Sequence, residues 1–377
     1  MAVPAPLVLS LATRVDGASH GAPPASLAPA MTIAHCWLHI GTEKTGSTAI
    51  QTFFAENRRL LLSRGWLYPE TAGIRAHHSL LPYCLDEPDG TRRGAAVHKE
   101  PSPDQFRRQI IGSLETEVDA SSASVLVLSN ERLATRLRRP AEIARLKALC
   151  DRLAQKTSVI VYLRNQADFL ASRYTNVIWE GGVQKFAFTG RAPFADYALL
   201  LDRWAGVFGK ENLVVRRFET TEFPAGNVIA DFAGVTGLDL CSLRVPPRAN
   251  PSLDTESLAF LRGLNRRIPL SLAEHAAPLR AAIVRVLQRR RGGTRFAIPP
   301  ALAERIEETY RDSNERVSRD YFDSRYRPLF SPPALVGGSI PPPPMGVNAA
   351  ARIGLFLAAG LVREGVIGAA RRLLRRG

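Results

Sequence analysis

Blocks of continuous apolar residues alternate with blocks in which apolar positions recur every three or four residues, and this pattern predicts strands followed by helices. Mostly apolar runs predict buried strands at 36–40, 65–69, 124–129, 157–163 and 212–219. Helical spacing predicts helices at 47–64, 103–118, 140–155, around 169–174 and at 194–208. Further helices are predicted at 227–236, 254–267, 278–290 and 299–318. Such alternation is typical of a parallel sheet with helices on both faces, so the predicted fold class is α/β with a helical C-terminal part.

The two ends of the chain differ in composition from its middle. Residues 1–30 are rich in Ala, Pro and Ser and predict a disordered tail, which leaves 31–330 as the main domain. Residues 331–377 begin as a proline-rich linker, and their apolar run at 353–362 is too short to cross a membrane. Arginines follow that run at 371, 372, 375 and 376. This basic amphipathic tail is expected either to lie on an anionic membrane surface or to be a disordered or partner-docking segment.

The stretch from Gly41 to Thr48 joins the first predicted strand to the first predicted helix. A glycine-bearing loop at this place directs backbone N–H groups and the positive end of a helix dipole toward one point, which favours a phosphate or sulfate oxyanion. The nucleotide-binding pattern G-x-x-x-x-G-K-[ST] is met at Gly41 and Gly46, but Ser47 stands where that pattern has its lysine. The cation comes two residues before Gly46, at Lys44, which argues against a nucleoside triphosphatase or kinase.

These eight residues resemble the phosphosulfate-binding loop of the sulfotransferase family, G-x-x-K-[ST]-G-[ST]-[ST]. The resemblance covers about His35 to Phe322 and implies a P-loop-like fold, no metal, and 3′-phosphoadenosine 5′-phosphosulfate (PAPS) as the donor co-substrate. It implies that Lys44 assists departure of the phosphate. The residues that would hold the 5′-phosphosulfate are Gly41, Lys44, Thr45, Gly46, Ser47 and Thr48. The plain alternative is a strand-to-helix turn that binds no ligand.

A second candidate anion site follows the strand predicted at 157–163. Arg164 comes where this strand ends, and Ser172 lies about two turns into the next predicted helix. An arginine supplies charge-assisted donors and a serine a neutral one, so the pair suits a phosphate. The sulfotransferase family uses an Arg and a Ser at this spacing for the 3′-phosphate of PAPS. The plain alternative is that Arg164 is a solvated charge at a strand end.

Three residues are candidate general bases for removing a proton from an acceptor hydroxyl. Histidine has a pKa near 6.5, which suits this task at neutral pH, and His77 is the first choice with His78 second. Glu131 follows a predicted strand at the sheet edge where open α/β sheets hold ligands, so it is a rival base or orients the histidine. The plain alternatives are surface histidines of no role and a glutamate that caps a helix or pairs with an arginine.

Charge and cysteine usage narrow the partners. The formal net charge is +15, which favours anionic partners, but no zinc finger, RNA-binding signature or aromatic-interleaved basic run indicates nucleic acid. Four scattered cysteines, without a C-x-x-C pair, favour neither a zinc site nor a disulfide framework, and suit a reducing cytoplasm. The location is therefore predicted as cytoplasmic, with a peripheral position at the inner membrane face as an extension.

The predicted function is a sulfotransferase that moves a sulfuryl group from PAPS to a hydroxyl of a carbohydrate or glycolipid by in-line displacement. Two alternatives stay open. One is a P-loop nucleotide kinase-like phosphotransferase, distinguished by magnesium-dependent triphosphate binding. The other is a non-catalytic relative that binds nucleotide or glycan, against which the presence of Lys44, Arg164 and Ser172 argues.

Overall fold

A five-stranded parallel sheet organises the part of the chain that the computed structural model describes, which is residues 33–86, 102–247, 253–267, 273–290, 294, 296–332 and 347–363. Its strands are β1 (His35–Gly41), β2 (Trp66–Leu67), β3 (Val125–Ser129), β4 (Lys156–Leu163) and β5 (Leu213–Arg217). Their order across the sheet is β2-β3-β1-β4-β5, and every neighbouring pair is parallel. The predicted α/β fold class is confirmed.

The central strand β1 lies where the strand order reverses. From β1 the chain fills one side of the sheet with β3 and β2, and then the other side with β4 and β5. Because all strands run the same way, the residues that follow β1, β3 and β4 emerge at one edge. Ligands of open α/β sheets bind at this edge, outside the carboxyl ends of the strands beside such a reversal.

Helices connect the strands and close both faces of the sheet. They are α1 (Ser47–Leu62), α2 (Leu80–Cys84), α3 (Pro103–Asp119), α4 (Leu133–Arg136), α5 (Pro140–Leu153), α6 (Gln166–Trp179), α7 (Tyr197–Phe208), α8 (Val228–Thr236), α9 (Thr255–Arg267), α10 (Ala273–Gln288), α11 (Pro300–Phe322) and α12 (Val347–Arg363). The longer helices fall within a few residues of their predicted positions, apart from α12. The short helices α2 and α4 have too few residues to show a period and were not predicted.

The core divides according to the two faces of the sheet. On one face, Leu38 and Ile40 of β1 pack with α5 and α7, whose Trp204 is fully buried. On the other face, Tyr162 of β4 packs with Phe54 of α1 and residues of α8. Alternate side chains of a strand point to opposite faces, which is why a doubly covered strand is apolar throughout. A third cluster joins α6 to α9, α10, α11 and α12.

Helix α12 contains the apolar run for which a surface or tail role was expected. Ile353 and Leu357 are buried in the third cluster, and Arg352 Nη2 lies 3.7 Å from Glu256 Oε1. Leu355 on another side of the helix is 74% exposed. The apolar run is therefore a helix whose buried face packs within the protein. Among the described residues, no helix combines the length and apolar character that crossing a membrane requires.

Several predictions lie outside the described residues. They concern the tail at 1–30, the proline-rich linker from residue 333 to 346 and the arginines at 371, 372, 375 and 376. The division into tail, main domain and linker stays a prediction.

Candidate functional site

Backbone conformation explains the two glycines of the loop from Gly41 to Thr48. Gly41 has φ +103°, and a Cβ there would lie 2.6 Å from the main-chain oxygen of Glu131. Gly46 has φ +78°, and a Cβ there would lie 2.8 Å from Val228 Cγ1. Only glycine meets both demands, the left-handed conformation and the close approach. Lys44, between them, also has a positive φ of 68°, which is uncommon for a residue with a side chain.

Two threonine hydroxyls hold the loop in this shape. Thr42 donates from its main-chain N–H (3.0 Å) and its hydroxyl (3.1 Å) to the main-chain oxygen of Tyr162 in β4. Thr45 donates its hydroxyl to the main-chain oxygen of Thr42 at 2.6 Å. The hydroxyl of Thr45, predicted to contact the donor, is thus engaged within the loop, so any contact to an anion falls to its main-chain N–H.

The N-terminus of α1 is open toward the loop. Gly46 is its N-cap, and within the described structure no side chain caps this end and no acidic residue stands in its first turn. Ser47 is buried and Thr48 is exposed. Main-chain N–H groups at the start of a helix need external acceptors, and the helix dipole makes an anion the favoured one. The arrangement therefore suits a tetrahedral oxyanion.

The ammonium group of Lys44 lies against helix α6. Its Nζ donates to Asn176 Oδ1 at 2.9 Å and lies 5.6 Å from the ring centre of Trp179. The side chain is half-buried. The cation of the loop is therefore held by a neutral amide and an aromatic face, and both contacts leave its charge in place.

Arg164 reaches the same loop from the end of β4. Its Nη1 donates to the main-chain oxygen of Lys44 at 3.1 Å, and its Nη2 lies 3.8 Å from Asp168. Tyr197 donates its hydroxyl to the main-chain oxygen of Arg164 at 2.6 Å, which fixes this corner of the chain. Ser172 is half-buried on α6, four residues before Asn176 and so on the same stripe of the helix. The structure thus brings the two predicted anion-binding motifs together.

Glu43, which sequence reasoning did not select, fastens the loop on its other side. Thr135 of α4 donates its hydroxyl to Glu43 Oε2 at 2.9 Å, and Arg173 Nη1 of α6 lies 3.6 Å from Glu43 Oε1. The side chain is 15% exposed, and burial raises the pKa of its carboxyl. These contacts turn the acidic side chain of Glu43 toward α4 and α6.

His77, the first choice for the general base, has both ring nitrogens occupied. Nε2 donates to the main-chain oxygen of Pro69 at 2.9 Å, and Nδ1 accepts from the main-chain N–H of Ser129 at 3.0 Å. The ring is fully buried, and burial lowers its pKa to about 3. A general base needs a lone pair that the substrate can reach, so this geometry argues against His77 as the base. The ring instead links Ser129 of β3 to the segment at Pro69 by two hydrogen bonds. His78 is exposed.

Glu131 lies beside the loop, at the place predicted for it. Its main chain packs against Gly41, and its half-buried carboxylate accepts from Gln51 Nε2 of α1 at 2.7 Å. Gln51 also contacts Ser129 Oγ at 3.3 Å, and Ser129 Oγ lies 2.8 Å from Nδ1 of the buried His39. Gln51 and His39 were missed because a glutamine in a helix and a histidine in a strand carry no signal of their own.

The site therefore combines an uncapped helix N-terminus, a lysine, an arginine and a carboxylate at one sheet edge. It has the parts to hold an anion, to neutralise charge on it and to accept a proton nearby. In the described segments, no group of three His, Cys, Asp or Glu side chains is arranged to hold a metal ion.

Comparisons with known proteins give distant likenesses. No protein-family model matches this chain. A protein of Archaeoglobus fulgidus that carries the name "uncharacterized protein" is 31% identical over 177 residues, which cover 45% of this chain and about half (47%) of the length of that relative. The crystal structure of a sulfotransferase from Alicyclobacillus acidocaldarius aligns with 64% of this chain and 94% of its own, at 16% identity and a TM-score of 0.35. Neither likeness carries an argument about function, which rests on the site itself.

Proposed function

We propose that this protein is a sulfotransferase that moves a sulfuryl group from PAPS to a hydroxyl of a carbohydrate or glycolipid. One observation carries the proposal. The loop from Gly41 to Thr48 presents the open N-terminus of α1 to an oxyanion, with Lys44 in the loop and Arg164 bonded to it. The pattern of this loop, with its lysine before the second glycine, is the one that resembles the sulfotransferase family.

The binding residues fit a donor with two anionic ends. In the proposal, the main-chain N–H groups at the start of α1, together with Ser47 and Thr48, hold the phosphosulfate end. Arg164 and Ser172 hold the 3′-phosphate, since a guanidinium and a hydroxyl are suitable donors to its oxygens. Two anchors on one donor fix the position of its reacting end, and that remote binding energy contributes to catalysis.

The chemistry is an in-line transfer, for which PAPS supplies an activated sulfuryl group. A bond forms between the acceptor oxygen and sulfur, the bond from sulfur to the bridging phosphate oxygen breaks, and 3′,5′-bisphosphoadenosine leaves with the negative charge on that oxygen. Lys44 neutralises the negative charge that develops on that bridging oxygen. Glu131 takes the proton of the acceptor hydroxyl. It is preferred over His77 because its carboxylate lies beside the loop and is half-exposed, whereas both nitrogens of His77 are occupied.

Net charge and cysteine usage support the acceptor class and the location. The net charge of +15 favours an acidic glycan or an anionic surface as the partner. The four cysteines are unpaired, and three of them are buried, which is in keeping with a reducing cytoplasm.

Calorimetry tests the donor assignment directly. We expect 3′,5′-bisphosphoadenosine to bind the full chain and ATP with magnesium to bind weakly or not at all. Binding of ATP only in the presence of magnesium would favour a phosphotransferase instead and would overturn the proposal. A transfer screen with labelled sulfate over neutral and acidic glycans would then identify the acceptor, with Lys44→Ala as the inactive control.

A further inference from the structure

One face of helix α6 is turned toward the loop and holds its lysine. Asn176 and Trp179 are three residues apart, so they are neighbours on the helix surface, and both contact the ammonium of Lys44. Ser172 lies on the same stripe one turn earlier. The helix that follows Arg164 therefore also determines where the charge of Lys44 sits.

We propose that Asn176 is a positioning residue for Lys44, an inference that rests on the proposed function. A lysine side chain has a long flexible stem and must be restrained before its charge can meet one developing oxyanion. The amide oxygen of Asn176 restrains it by a hydrogen bond of 2.9 Å. The indole face of Trp179 adds a cation–π contact.

The residue type at 176 fits this role better than its closest alternatives. An aspartate would pair with the ammonium and cancel the charge that the departing oxygen needs. An apolar residue would remove the hydrogen bond that the ammonium donates to residue 176. Asn176 stands in the last turn of the 14-residue helix, and its side chain bonds to a group outside that helix.

Steady-state kinetics with Asn176→Leu, which keeps the shape and removes the acceptor, tests the role. We expect kcat to fall about ten- to hundredfold, as for a misplaced catalytic group, with KM for PAPS changed less than about threefold. In a Lys44→Ala background the same substitution should cost less than about threefold, because Asn176 acts through the lysine. An equal loss of kcat in both backgrounds, or a loss confined to KM, would overturn the proposal.

The matched control is Asn212→Ala. Asn212 donates to Phe208 and precedes β5, so it lies at the opposite end of the strands from the loop. Its kcat should equal that of the parent. If Asn176→Leu does not fold, Asn176→Ala removes the same acceptor. Its kcat is then compared in the parent and in the Lys44→Ala background in the same way.

A second measurement needs neither donor nor turnover. Reductive methylation followed by peptide mass spectrometry reports how accessible each lysine amine is. Lys44 should be modified several-fold faster in Asn176→Leu than in the parent, while Lys210, which lies over Tyr321, keeps its rate and serves as the internal reference. If Lys44 were methylated at the same rate in both proteins, the proposal that Asn176 restrains it would be overturned, whatever the kcat of the variant. Failure of the parent to bind 3′,5′-bisphosphoadenosine would instead contradict the proposed sulfotransferase function and leave the methylation result for Asn176 unaffected.

Discussion

The guanidinium of Arg164 donates a hydrogen bond of 3.1 Å to the main-chain oxygen of Lys44, so the end of β4 is joined directly to the loop that follows β1. The two residues belong to motifs that are far apart in the chain. They meet because β1 and β4 are neighbouring parallel strands whose carboxyl ends share one edge. A single ligand in contact with the loop is therefore also close to the arginine. Substitution of Lys44 should mainly affect turnover, whereas substitution of Arg164 should mainly affect donor binding.

Lys44→Ala should reduce turnover much more than donor binding. Loss of one preorganised stabiliser of developing charge typically costs about 3–4 kcal/mol, or 10²–10³ in kcat. Binding of 3′,5′-bisphosphoadenosine should be largely kept, because the main-chain N–H groups of α1 and Arg164 remain. Pre-steady-state transfer and calorimetry on the same preparation give both numbers. Near-normal turnover would remove Lys44 from the mechanism.

Arg164→Ala should show the opposite pattern. A charge-assisted hydrogen bond contributes about 1.5–3 kcal/mol, so the dissociation constant of the bisphosphate should rise about ten- to hundredfold. The control is 5′-adenosine phosphosulfate, which lacks the 3′-phosphate and should lose little affinity on the same substitution. An equal loss for both ligands would mean that Arg164 acts by supporting the loop at Lys44 and does not contact the 3′-phosphate.

Glu131→Gln tests the choice of base. The substitution keeps the size of the side chain and removes its ability to accept a proton, and general-base catalysis contributes about 10²–10⁴ in rate. We expect a loss of kcat in that range with folding unchanged. His78→Ala, at an exposed position, should have no effect. A fully active Glu131→Gln enzyme would show that Glu131 is not the general base.

Much of this site follows from sequence reasoning because it depends on local and topological rules. Glycines at 41 and 46 predict a tight loop, and parallel strands place Lys44, Glu131 and Arg164 at one edge. The role of His77 did not follow, because it depends on main-chain groups of Pro69 and Ser129 that only the folded chain brings to the ring. A histidine looks the same in a sequence whether its nitrogens face substrate or backbone.

The residues that contact Lys44 and Glu131 could not be predicted from the sequence either. Asn176 and Gln51 are ordinary residues on ordinary helices, and their importance comes from what lies opposite them, Lys44 and Glu131. The packing of α12 likewise depends on α9 and α10, whose surfaces a periodic pattern does not specify. Sequence patterns thus indicate which groups carry charge, and tertiary contacts determine how those groups are held.

The glycines of the loop should be essential to stability as well as to binding. Gly46→Ala places a side chain at φ +78° and against Val228, and Gly41→Ala places one against the main chain of residue 131, so both should lower the melting temperature. Gly112 lies within α3 with open space around it, and Gly112→Ala should stabilise by about 0.5–1 kcal/mol. Thermal unfolding of the three variants side by side checks the contrast, and an undisturbed Gly46→Ala protein would contradict it.

Two buried histidines should make stability depend on pH. Burial lowers the pKa of His77 to about 3 and that of His39 to about 4, whereas both are near 6.5 in the unfolded chain. Between these values the unfolded state binds protons that the folded state does not, so the stability present above pH 6.5 should be lost as pH falls toward 4. Each histidine contributes a slope of about 1.4 kcal/mol per pH unit where only the unfolded form is protonated.

Urea unfolding at pH 4.5, 5.5 and 6.5 measures that slope. His39→Asn or His77→Asn should lower the slope by about 1.4 kcal/mol per pH unit, which corresponds to one proton fewer taken up on unfolding. Each substitution also lowers stability at neutral pH because a buried ring is lost. His78→Ala is measured beside them as a substitution at the exposed residue that follows His77 in the chain. An unaltered slope in His77→Asn would mean that the ring is not held neutral by burial, and His77 would again be a candidate for proton transfer.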